Sequence, residues 1–219
     1  MSLFLWLITI ALMGILTQMF FTQRDYYKNQ VKALAVKAAC TAISVLLCLY
    51  GISKTGGADA RWILFAGLFV CMLADVIIGI HFVAGMLVFL CAHLCFITYF
   101  ITLSPLSGYS VVVFILVYAA VLFGFRRFVP QLGIQSIPFM IYAAILILMF
   151  SIAVLLPYSI GGIGAALLAA GAGLFTVSDL LLAWNTLGSE HKIRDRMVLY
   201  LYYPAVYLLA VSVFYAKIH

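Results

Sequence analysis

The feature that most limits what this chain can fold into is a succession of apolar runs about twenty residues long, separated by short polar breaks. In hydrocarbon no water pairs with a bare N–H or C=O, so a run of that length crosses a bilayer as a helix. We read eight such runs: residues 2–21, 33–52, 62–80, 82–102, 109–125, 138–156, 163–185 and 197–216, with Pro138 in the first turn of the sixth. Seven is the competing count, because the edges of the fifth and sixth runs are soft. The first run lacks a basic start and a small-residue cleavage site, so it reads as a retained helix. Composition points the same way. Of 219 residues, 68% are hydrophobic and 8% charged, with mean hydropathy +1.26, whereas a soluble domain is about 25% charged. The expected fold is an all-α integral membrane protein, a bundle of eight transmembrane helices forming one transmembrane domain over residues 1–219. The expected location is a multi-pass membrane protein, in the cell (inner) membrane if the source is bacterial.

The net charge of +6 is unevenly placed. Breaks after odd-numbered runs hold Arg24, Lys28, Lys32, Arg126, Arg127, Lys192, Arg194 and Arg196; the opposite side holds Lys54, Arg61 and Lys217. Basic residues gather on cytoplasmic loops, which predicts cytoplasmic odd loops and both termini outside. No polar segment interleaves basic and aromatic residues, so no nucleic-acid partner is expected. The cysteines all fall in apolar runs, where they act as small hydrophobes. Cys91 and Cys95 share a helix face, but His93 is turned about 200° from Cys91, so the three cannot hold one metal ion. Neither a metal nor another cofactor is expected.

Two carboxylates, Asp75 and Asp179, lie deep inside apolar runs. An ionisable group there costs roughly 2.5–3.5 kcal/mol or more and marks a candidate site. Counted from the cytoplasmic ends, Lys37, Asp75, Tyr142, Asp179, Tyr202 and Tyr203 all fall about 8 Å deep at 1.5 Å per residue. His93 falls deeper, near mid-span. Gly67, Cys71, Asp75 and Gly79 form a small-residue ridge suited to close packing. Gly171, Ala172, Thr176 and Ala183 share the side of Asp179. Gly85, Met86, Phe89, Phe96 and Phe100 share that of His93, as an apolar wall would.

Taken singly, each polar residue has a structural reading. Lys37 can snorkel to the interface, the tyrosines can belong to an aromatic belt, and His93 or the aspartates can hold helices together. Taken together at one depth, they suggest a site. No G-x-S-x-G elbow and no H-E-x-x-H set is present. Two carboxylates brought close share one proton and can act as general acid and general base.

At these residues the chain resembles the YhhN-like lysoplasmalogenase family of multi-span membrane enzymes. The matching pieces are the Asp75 segment, FVAGMLVFLCAHLCFITYF (82–100), IYAAILILM (141–149), GLFTVSDLLLAWN (173–185) and YYPA (202–205). The family often has glycine at Ala74, tyrosine at Phe96 and glutamine at Val206. The resemblance implies hydrolysis of the vinyl-ether bond of lysoplasmalogens, releasing a fatty aldehyde and a glycerophospho-head group. With their isolation in apolar runs, equal depth and small-residue faces, it points to Asp75 and Asp179 as the catalytic pair; Ser178 beside Asp179 and the drier segment around Asp75 suggest Asp179 as base and Asp75 as acid. Lys37, His93, Tyr142, Ser178, Asn185, Tyr202 and Tyr203 are then expected to bind substrate. The expected partners are the lysophospholipid substrate and membrane lipid. Its head group would sit near Arg126, Arg127, Lys192 or Arg194, with its alkenyl chain directed toward His93. The rival classes are a proton-coupled transporter of small molecules or lipid, and an intramembrane aspartyl protease. The Gly-x-Gly-Asp and Pro-Ala-Leu signatures of the latter are missing.

Overall fold

A computed structural model describes residues 3–55, 59–128, 130, 133, 136–188 and 191–215. The end of the eighth expected span, with Lys217, lies outside them. So do parts of the breaks after the second, fifth and seventh spans. Among the described residues every regular element is helical. The long helices are α1 (Leu3–Phe21), α2 (Gln30–Thr55), α3 (Asp59–Ile80), α4 (Phe82–Leu103), α5 (Gly108–Phe125), α6 (Ser136–Ala153), α7 (Gly162–Leu187) and α8 (Lys192–Ser212). One short helical turn, Leu156–Ser159, follows α6, with Pro157 in its first turn where no N–H is needed.

Seven of the eight helices are long and apolar enough to cross a membrane. The exception is α8. Its first turns carry Lys192, Arg194, Asp195 and Arg196, and its body carries Tyr200, Tyr202, Tyr203 and Tyr207. The arrangement explains why it tolerates them. α8 packs along α7 and against α2, and the face from Leu199 to Ser212 is mostly buried. A helix enclosed by other helices need not match lipid along its whole surface.

The helices pack as a ring in the order α2, α3, α4, α6, α7, α8, closed by the contact of α8 with α2. α1 lies outside against α2, and α5 lies outside against α6. α3 turns into α4 through His81 alone. His81 is extended, and its Nδ1 accepts from the Ala84 N–H at 3.2 Å, capping α4. This tight return brings the two backbones together. A Cβ built on Gly85 would lie 2.3 Å from the Ile78 Cα, which no side-chain rotation relieves.

That contact gives a first prediction. Gly85→Ala forces α3 and α4 apart and destabilises the protein by about 1–3 kcal/mol, as overpacking does. Gly124→Ala on α5, where nothing lies within 4 Å, is the control and should be neutral or slightly stabilising. Thermal unfolding in detergent checks both. Equal melting temperatures for the two variants would contradict the packing argument.

Candidate active site

Asp75 leaves α3 about a turn before its cytoplasmic-facing end in the expected topology, and it is fully buried. The ridge it belongs to is filled by neighbours: Gly67 lies under the Phe96 ring, and Gly79 under Leu34 of α2. Close approach of α2 lets two of its side chains reach the carboxylate. The Lys37 ammonium lies 3.2 Å from Oδ1. The Thr41 hydroxyl donates to Oδ2. From α8, the Tyr202 hydroxyl donates to the same oxygen at 2.9 Å. Asp75 is therefore held by one cation and two hydroxyls from two helices, as a carboxylate inside a membrane protein must be if it is to stay charged.

Asp179 on α7 has different company. The Tyr142 hydroxyl on α6 donates to Oδ2. His93 Nε2 on α4 stands 3.7 Å from the same oxygen, beyond hydrogen-bond length. No Lys or Arg pairs with Asp179 among the described residues. Aromatic rings enclose it. His93 meets Phe175 at 4.9 Å and Tyr142 at 5.5 Å between centroids, both edge to face. Phe175 also meets Tyr202 at 5.3 Å, so one ring separates the surroundings of the two carboxylates.

Both carboxylates border one cavity of about 440 Å³, a size usual for small-molecule sites. Lys37, Ser178 and Tyr202 line it beside them, and Phe89 and Leu182 give it apolar walls. Its mouth carries Arg24, Lys28 and Asp195. Arg24 bridges Asp25 and Asp195, each at 2.7 Å, and so ties the turn after α1 to the first turn of α8.

The placements differ from the sequence expectations in several ways. Lys37, Tyr142 and Tyr202 reach the carboxylates directly. His93, which residue counting put deeper, stands 3.7 Å from Asp179 Oδ2 without bonding to it. Ser178 lines the cavity but spends its hydroxyl on the Val198 carbonyl at 2.9 Å, so it does not solvate Asp179. Asn185 accepts the His191 N–H at 2.9 Å and shapes the α7–α8 turn, away from both carboxylates. Tyr203, its ring 5.4 Å from that of Tyr202, lines an apolar groove against α1 rather than the cavity. Arg126, Arg127, Lys192 and Arg194 do not line the cavity; Arg24 and Lys28 hold the place expected of them. No hydrogen bond joins Asp75 to Asp179 among the described residues, so their link is the cavity they share. Thr41 was missed, although it follows Lys37 by one helical turn and shares its face.

The sequence model of the YhhN family matches residues 33–213. The chain belongs to the YhhN family. That family includes lysoplasmalogenases. No curated protein and no solved structure matches the chain. The YhhN match covers nearly all of the helix ring and both carboxylates with all their partners. It begins after α1 and after Arg24 and Lys28, so those parts of the cavity mouth lie outside the family's common region.

Proposed function

We propose that this member of the YhhN family is a membrane hydrolase cleaving the vinyl-ether bond of lysoplasmalogens by acid–base catalysis. The observation that carries the reading is the pair of carboxylates with unlike partners on one cavity that is charged at its mouth and apolar within. The partners favour roles opposite to those expected from sequence. Asp75, matched by Lys37, is the ionised base. Asp179, with no Lys or Arg ion-paired to it among the described residues, is neutral in the resting site and carries the proton, since an uncompensated charge there would be costly.

The chemistry then runs in balanced steps. Asp179 gives its proton to the vinyl-ether carbon remote from oxygen, and the resulting oxocarbenium ion forms beside the Asp75 carboxylate, which stabilises it. Water adds to the cation as Asp75 takes the water's proton. As the hemiacetal collapses, its hydroxyl proton returns to Asp179 and Asp75 passes its proton to the leaving glycerol oxygen, giving the aldehyde and the glycerophospho-head group and restoring both carboxyls. Net consumption is one water. Tyr142 and Tyr202 hold the carboxylates in place. In this reading the mouth faces the cytoplasm, and Arg24 and Lys28 meet the head-group phosphate.

The test is purified protein in detergent with a lysoplasmalogen, assayed for aldehyde. Stoichiometric aldehyde and head-group release without any ion gradient is the expected result. Uptake into vesicles with no product would overturn the enzyme reading in favour of a transporter.

A further inference from the structure

The cavity of about 440 Å³ is closed toward the ring interior. On the His93 side Phe89, Phe96 and Phe175 pack edge to face at 6.0 and 6.3 Å around the imidazole, leaving no described space for a hydrocarbon chain. On the Asp179 side a further space adjoins the cavity. A narrow slit of about 40 Å³ begins there and shares Ile78, Phe82, Asp179 and Leu182 with the main cavity. It continues between α6 and α7 past Tyr142 and Ala143. A third crevice, of about 50 Å³, shares Phe139, Ala143, Leu180 and Ala183 with the slit and runs out beneath α5. α5 is the loosest helix: its chief partner is α6, and Ser110 is its one buried residue.

We propose that the substrate's hydrocarbon chain leaves the main cavity sideways at Asp179 and lies in this slit and crevice, reaching lipid between α5, α6 and α7. The proposal rests on the lysolipid reading above and takes a different course from the one expected toward His93. Three observations carry it. Each space shares lining residues with the next, so the three follow one another in a row. Their lining changes from charged at the mouth to apolar beyond Asp179, the order of groups along a single-chain lipid. The slit's polar atoms, those of Tyr142 and Asp179, already bond to each other, so water there would lack the two to four partners it needs. A chain leaving at Asp179 also sets the bond next to it, the vinyl ether, against the proton donor. Phe82 and Phe139, stacked at 6.4 Å, stand along this seam and limit its width.

Chain-length dependence tests this. Ala143→Phe and Ala183→Phe fill the slit; Phe139→Ala widens it. For alkenyl lysolipids from octenyl to octadecenyl, the ratio of kcat/KM for long against short chains should fall at least roughly ten-fold in the Phe variants. It should hold or rise in Phe139→Ala. An unchanged ratio in folded Phe variants overturns the proposal. A second readout needs no turnover and no variant. A lysophospholipid with a diazirine at the chain end should label α5, α6 or the end of α7 in the wild-type protein. Labelling confined to the α1–α8 groove overturns the proposal. Slit labelling without aldehyde from any substrate would refute the vinyl-ether reading and leave the chain site standing. Aldehyde release with labelling elsewhere would do the reverse.

Discussion

Asp75→Asn and Asp179→Asn should each lower turnover of a lysoplasmalogen by about 10²–10⁴-fold, the usual contribution of one positioned acid or base. That is a barrier increase of about 2.7–5.5 kcal/mol. Asparagine keeps the size of the side chain but neither donates a carboxyl proton nor accepts one from water. The two variants should differ in how well they fold. At position 179 the amide oxygen still accepts the Tyr142 hydroxyl, and no cation loses a partner, so stability should change little. At position 75 the amide oxygen still serves Thr41 and Tyr202, but Lys37 loses its counter-ion. Aldehyde release under single-turnover conditions, beside melting temperature, separates the effects. If both variants are folded and each keeps more than about a tenth of wild-type turnover, a barrier change under about 1.4 kcal/mol, the aspartates are not the catalytic pair. They would then be structural ties between helices.

How much of this was legible in the sequence follows from what each signal measures. Apolar run length reports helices directly, because lipid leaves the backbone no other regular way to pair. The long helices appeared where expected, with ends displaced by a few residues. α2, for instance, starts at Gln30. The carboxylates were visible because charge is so rare in such runs. Depth counting found Lys37, Tyr142 and Tyr202, since residues at one depth on facing helices can meet. It failed for Tyr203, because depth says nothing about the direction a side chain leaves the helix: Tyr203 is turned about 100° from Tyr202 and lines the groove against α1 instead. It put His93 deeper than the layer, whereas the ring stands 3.7 Å from the Asp179 carboxylate without bonding to it. Asn185 was read from a motif, whereas its work is to hold the His191 N–H. The mouth was not legible. Which of several basic loops covers a cavity depends on the order of helices in the ring, and no single-helix pattern encodes that.

The second large effect concerns Lys37. Removing one member of an enclosed ion pair strands the other, at about 3–5 kcal/mol, while removing both at once can be nearly neutral. The stranded partners here are not equivalent. The Lys37 side chain is 14% exposed and borders the cavity, so in Asp75→Asn its flexible stem can turn the ammonium toward the mouth. The Asp75 side chain is 1% exposed and cannot move away in Lys37→Met. The expected order of melting temperatures is wild type, then Asp75→Asn, then Lys37→Met. The Lys37→Met/Asp75→Asn double variant should lie above Lys37→Met. Such a cycle isolates the pair because Met matches the lysine stem and Asn the carboxylate. Turnover should not follow stability. Lys37→Met should lose at least about ten-fold, since the base loses the charge that keeps it ionised. The double variant should recover stability yet stay as inactive as Asp75→Asn. A double variant that recovered turnover together with stability would show that the pair only holds α2 to α3, and would leave Asp179 without its base.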